Sequence, residues 1–100
     1  MDFIYRSNQI ALYDTEEKLI AEVTFPNVDD NTVNIDRTFV DDSLRGQGVA
    51  GKLMEAAAKE LRAHNKKADL TCTYATSWFA KHPEYNDVVR EDENMEDIKN

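Results

Sequence analysis

An α+β fold with a mixed sheet follows from three features of this 100-residue chain. Three period-two runs stand near its start, one long period-3.6 stretch occupies its centre, and a further short strand-like run lies behind it. Short connections between the early runs imply an antiparallel meander, whereas a strand reached through a long helical crossover pairs parallel. The predicted architecture is therefore a three-stranded antiparallel meander, a central helix, a fourth strand parallel to the third, and a short C-terminal helix.

The first strand spans residues 9–14, with Ile10 and Leu12 on one side. Asp14-Thr15-Glu16-Glu17 reads as a hairpin turn. The second strand carries Leu19, Ala21, Val23 and Phe25 at period two and is ended by Pro26 and the polar run Asp29-Asp30-Asn31. The third shows the cleanest alternation, with Val33, Ile35, Arg37 and Phe39 on one face and Asn34, Asp36, Thr38 and Val40 on the other. Ala50, Leu53, Met54, Ala57 and Leu61 then follow one helix face, which predicts a helix from about Gly48 to His64. Residues 69–74 read as the fourth strand, with Leu70, Cys72 and Tyr74 on one side. A short helix from Ala75 to Lys81 is stopped by His82-Pro83, because the residue before proline avoids helical angles.

One domain covering residues 1–90 is expected, with 91–100 as an acidic flexible tail, since five of those last ten residues are acidic. The 41% hydrophobic content is that of a globular chain. A net charge of −8 argues against nucleic acid, whose recognition relies on cations meeting phosphates. No apolar run approaches a membrane span, and the start lacks a signal peptide's apolar centre. The single cysteine, Cys72, excludes an internal disulfide and agrees with a reducing interior, so a cytoplasmic monomer is the expectation. No metal site is expected.

All three glycines fall within Gly46-Gln47-Gly48-Val49-Ala50-Gly51, where strand gives way to helix. Glycine lets backbone amides approach a ligand, and a helix start adds unpaired N–H groups and its positive end, which together suit phosphate. Read as the dinucleotide fingerprint, Gly46-x-Gly48-x-x-Gly51 lacks its context. The nearest acidic residue, Asp69, would open the following strand instead of closing it, and three antiparallel strands stand in front. No Gly-Lys-Ser/Thr ends the loop, which excludes a Walker-type site.

Arg45-Gly46-Gln47-Gly48-Val49-Ala50 instead fits the pattern Q/R-x-x-G-x-G/A. Together with Thr38-Phe39-Val40 before it and Leu53-Met54 after it, the segment resembles the GNAT superfamily of acetyl-CoA-dependent acyltransferases. The resemblance is specific over about Val33 to Tyr74 and looser outside. It implies that amides of Arg45, Gly46, Gln47, Gly48, Val49 and Ala50 hold the pyrophosphate of coenzyme A. It also implies that the strand at Thr38, Phe39 and Val40 pairs with the pantetheine arm, and that the third and fourth strands diverge to admit the thioester.

The chain departs from that family in two ways. Where ordinary members place two helices between the first two strands, only residues 14–17 stand, and only Asp87-Val88-Val89-Arg90 is available as a closing strand. This is similar to a minimal subfamily that keeps the cofactor half. The tyrosine that many members use to protonate the departing thiolate aligns with Phe79, which cannot give a proton; Tyr74 and Tyr85 are the substitutes at hand. Cys72, on the fourth strand beside the expected slot, is a candidate nucleophile that could carry the acetyl group, with His82 as its base. The alternative for Cys72 is a small buried core residue. The function expected is N-acetyl transfer from acetyl-CoA to a small amine or lysine, possible through Cys72. A non-catalytic acetyl-CoA-binding module is the alternative.

Overall fold

The computed structural model describes residues 2–90, so the acidic segment 91–100 lies outside the described residues. β1 (Ile4–Arg6), β2 (Gln9–Tyr13) and β3 (Leu19–Thr24) form successive antiparallel hairpins. The β2–β3 turn is built as its sequence demands. The Asp14 carboxylate accepts from the amides of Glu16 and Lys18, and Glu17 adopts a left-handed φ of 67°. β4 (Asn27–Asp29) pairs with β5 (Thr32–Ile35), and β6 (Arg37–Val40) returns antiparallel along β3.

The sheet is thus two pieces, ordered β1-β2-β3-β6 and β4-β5-β7, and the predicted third strand is divided between them. Asp36 is the point of division. Its amide donates to the Thr24 carbonyl and its carboxylate accepts from the Thr24 hydroxyl at 2.6 Å, which fastens it to the end of β3. The expected alternation breaks at the same residue. Val33 and Ile35 are buried in the core, but beyond Asp36 it is Val40 that packs on the core, with Thr38 and Val40 opposite Val23 and Ala21. One extra residue has turned the face over, as a β-bulge does.

α1 (Val49–Ala63) lies across β2, β3 and β6, burying Leu53, Met54, Ala57 and Leu61. Leu53 and Met54 are wholly buried, and each such side chain stabilises the fold by roughly 1.5–3 kcal/mol. At its C-terminus Asn65 takes φ 59°, with Asn65 N–H to Arg62 C=O and Lys66 N–H to Leu61 C=O, the paired bonds of a Schellman motif. β7 (Lys67–Leu70) then runs parallel to β5, as the crossover predicts.

β7 is shorter than the run 69–74 expected from the sequence. It begins two residues earlier and ends at Leu70, because the amides of Thr71 and Cys72 both turn to the carbonyl of Ile35. α2 (Thr73–Ala80) therefore starts two residues before the expected Ala75, and Tyr74 belongs to its first turn and not to a strand. A short 3-10 turn, Pro83–Tyr85, follows His82, and Val89 forms an isolated parallel bridge to Ala68. No helix among the described residues is long and apolar enough to cross a membrane.

Candidate active site

The glycine connection folds as a tight loop between β6 and α1. Asp41 opens it by accepting from the amide of Ser43, and this pairing, with the Ser43 hydroxyl, holds the Asp41 carboxyl below its ordinary value. A 3-10 turn covers Asp42–Leu44. Gly46 and Gly48 have φ of 82° and 71°, a left-handed conformation that L side chains rarely adopt. A Cβ at either position would meet open space, so the backbone angle, with no neighbouring side chain, calls for glycine.

The loop leaves a concentrated set of donors. Arg45 N–H bonds Asp42 C=O and Gln47 N–H bonds Leu44 C=O, so those two amides are used within the loop. The amides of Gly46, Gly48, Val49, Ala50 and Gly51 have no backbone partner among the described residues, and Gly48 brings no side-chain cap to α1. No acidic residue lies in the first turn to neutralise the helix end. The Arg45 guanidinium is paired with Asp42 at 2.9 Å in full solvent, while Lys52 has no ion pair among the described residues. The cluster suits an anion with several oxygens, such as a diphosphate.

A slot leads away from this loop. β6 is an edge of its sheet, since β7 pairs with β5 and leaves β6 unaccompanied beyond Asp36. Asp41 N–H bonds Ile20 C=O, so by the two-residue alternation of an antiparallel ladder Phe39 faces β3. Thr38 and Val40 consequently turn their amides and carbonyls to the open edge, and the Phe39 side chain sits on the sheet face away from α1, under Arg37 at 5.4 Å. Of the three strand residues expected at the site, Thr38 and Val40 offer backbone groups to an added chain.

Cys72 stands at the end of that slot as the N-cap of α2, half-buried, and not in mid-strand. Its Sγ lies 3.5 Å from the Thr38 hydroxyl across the gap between β6 and β7. Burial pushes the thiol up, but the Thr38 hydroxyl, the amides of Ala75 and Tyr74 and the Thr38 backbone more than offset it, so its pKa falls below the ordinary 9.0. None of those amides completes a capping bond to the sulfur; they act by proximity and orientation. A lowered pKa at a helix N-terminus raises the fraction of the nucleophilic thiolate form.

His82 does not join it. The residue lies beyond the other end of the eight-residue α2, a helix about 12 Å long, with Nδ1 2.7 Å from the Trp78 carbonyl and its ring stacked on Trp78 at 3.8 Å. The expected Cys72–His82 pair is therefore not formed: α2 starts early, and its length separates the two. Tyr85 is also committed elsewhere, buried under Arg62 with its hydroxyl 3.5 Å from Glu55.

Tyr74 has the placement that sequence reasoning could not give. A Cβ built on Gly51 would lie 3.6 Å from the Tyr74 hydroxyl and 3.7 Å from Trp78 Nε1, so both groups roof the first turn of α1. Burial, then the nearby Cys72, pushes the phenol up. The strand-like alternation of Leu70, Cys72 and Tyr74 concealed this. Among the described residues no cluster of three His, Cys, Asp or Glu side chains is placed to hold a metal.

The sequence model of the GCN5-related N-acetyl-transferase family matches residues 9–88. Among solved structures, a GCN5-like protein from Staphylococcus aureus determined by NMR is 35% identical, covers 91% of this chain and 89% of its own, and superposes with a TM-score of 0.75. A GNAT family N-acetyltransferase from Escherichia coli, solved in complex with CoA, is 25% identical over 58% of this chain and 35% of its own, with a TM-score of 0.51. An acetyltransferase of the GNAT family from Staphylococcus aureus shares the fold at 14% identity, a TM-score of 0.59, and coverage of 74% of this chain and 50% of its own. No curated protein matches. With its glycine loop, mixed sheet and central helix in place, the chain belongs to the GCN5-related N-acetyltransferase family.

Proposed function

We propose that this protein transfers an acetyl group from acetyl-CoA to a small amine or an exposed lysine, through Cys72. The observation that carries the reading is the continuity of unpartnered amides at Gly46, Gly48, Val49 and Ala50 with an open β6 edge that leads to an activated thiol. The loop amides hold the diphosphate, and Lys52 adds positive charge beside them. Thr38 and Val40 bond the amides of the pantetheine arm as a neighbouring strand would. Acetyl-CoA supplies the activated acetyl group as a thioester.

Bound in this way, the thioester carbonyl reaches the end of the slot. The Cys72 thiolate attacks its carbon, and the Val40 amide stabilises the oxyanion. As the bond to the coenzyme sulfur breaks, Tyr74 gives its proton to that sulfur. The amine then attacks the acetyl carbon on Cys72, its surplus proton returns to the Tyr74 phenolate, and Cys72 leaves as the thiolate it began as. The direct variant, in which the amine attacks the coenzyme thioester itself, uses the same amide and the same tyrosine. Intact-mass spectrometry with acetyl-CoA tests the covalent route. One added acetyl group is expected on the wild type and none on Cys72→Ser; no adduct on either protein at saturating cofactor removes that route.

A binding module without turnover is the second reading, favoured by the five-residue β2–β3 connection where an acceptor wall would stand. Free-thiol release from acetyl-CoA with a panel of amines separates the two. Release above the protein-free rate supports transfer, and release that never exceeds it supports the binder.

A further inference from the structure

We propose a second ligand site, for a small organic anion with an apolar body, at the opposite end of α1 from the glycine loop. A cavity of about 330 Å³ opens there between the β1–β2 turn, the start of β5 and the last turn of α1. Its floor is the buried, apolar trio Phe25, Val33 and Leu61. Its rim carries Arg6 and Lys66, neither of which has an ion pair among the described residues.

Three features separate this cavity from a chance hollow. Its size falls at the lower edge of the range for small-molecule pockets, and its apolar floor lies beneath a rim that is mostly polar and charged. Lys66 directly follows a left-handed asparagine, Asn65 at φ 59°, and Arg6 precedes another, Asn8 at φ 67°, by two residues. Asn8 is fixed by its side-chain amide, which donates to the Phe25 carbonyl and to Asn27 Oδ1, and Lys66 is fixed by its bond to the Leu61 carbonyl. The backbone under each cation is therefore already ordered before a ligand arrives. Finally, the balance of charge at the rim runs against the chain. Glu60, the lining carboxylate, is hydrogen-bonded to His64 at 3.1 Å, and Arg6 and Lys66 outnumber it at the rim in a protein of net charge −8.

A single carboxylate or phosphate monoester on a planar apolar body fits this arrangement. The anion meets Arg6 and Lys66, and the body lies on Phe25, Val33 and Leu61. Because the site lies about a helix length from Gly48, its occupancy is independent of the cofactor loop.

The test is an amide-shift titration of the full chain with phenylacetate, with phenyl phosphate and with neutral benzyl alcohol, each in the presence and absence of CoA. Shifts at Arg6, Ser7, Asn8 and Lys66 with either anion, but not with the alcohol, are expected. The two anions distinguish a carboxylate ligand from a phosphate one. The double variant Arg6→Gln, Lys66→Gln should keep its dispersed spectrum and bind the preferred anion about tenfold or more weakly. Equal shifts with the alcohol, shifts confined to residues 46–51, or undiminished binding by the double variant would overturn the proposal, as would silence with all three probes.

Discussion

At the scale of single residues, the proposed chemistry turns on Cys72 and Thr38. The thiol is half-buried, and burial pushes its pKa up; the hydroxyl of Thr38 and the amides at the start of α2 outweigh burial and bring it below the ordinary value. Alkylation by iodoacetamide as a function of pH should therefore show a midpoint below the ordinary thiol value. Thr38→Val, which removes the hydroxyl, should move that midpoint upward, and an unchanged midpoint would contradict the assignment. At Gly48, with φ of 71°, alanine should cost about 1–2 kcal/mol in a urea titration. Ala50→Glu should leave stability almost unchanged and abolish CoA binding in calorimetry, since it places a carboxylate against the diphosphate. Tyr74→Phe should slow thiol release without weakening CoA, because it removes a proton and little surface.

α1 is the element on which the rest is mounted. Its buried face carries Leu53, 0% exposed, and Leu53→Ala should cost roughly 2–5 kcal/mol in the same titration. Its last turn is tied to the C-terminal segment by Arg62, which grips Asp87 with two nitrogens and donates to the Glu84 carbonyl. The Arg62 side chain, with its charge, holds the Asp87 carboxyl below the ordinary value. A carboxyl with a lowered folded pKa stabilises the fold fully above its unfolded pKa of about 3.9 and loses that contribution as pH falls through the lower folded value. The Tm gap between wild type and Asp87→Asn should thus be constant near neutrality and close in acid.

The elements also show what the sequence could and could not disclose. α1 was legible to within a residue at both ends, because Gly48 and the stripe Leu53, Met54, Ala57, Leu61 are local signals that packing reinforces. The hairpin at Asp14 was legible for the same reason. Asp36 was not: the alternation of residues 33–40 continues smoothly through it, and only its bonds to Thr24 reveal that the strand changes partners and faces there. β1 and β4 were missed because all their residues are exposed and carry no burial period. The early end of β7 depends on both Thr71 and Cys72 choosing one carbonyl, that of Ile35, which no local pattern encodes. That single ending moved Cys72 to a helix cap, brought Tyr74 over Gly51, and separated His82 from both.

Across the whole molecule, function rests on one axis: helix α1 starts at a ring of unsatisfied donors, and β6 departs from β7 beside it. The donors are legible from Gly46 and Gly48; the opening is a consequence of Asp36. In the proposed reading, backbone dipoles and Lys52 gather the ligand's phosphates for an acidic chain, with little help from arginine, since Arg37 and Arg45 are engaged by Glu22 and Asp42. The most direct measurement is a residue-resolved amide titration with acetyl-CoA. The amides of Gly46, Gly48, Val49 and Ala50 should move most, followed by Thr38, Val40 and Cys72, with those of Arg45 and Gln47 moving less. Amides at 46–50 that stay fixed at millimolar cofactor, while the protein remains folded, would contradict the account.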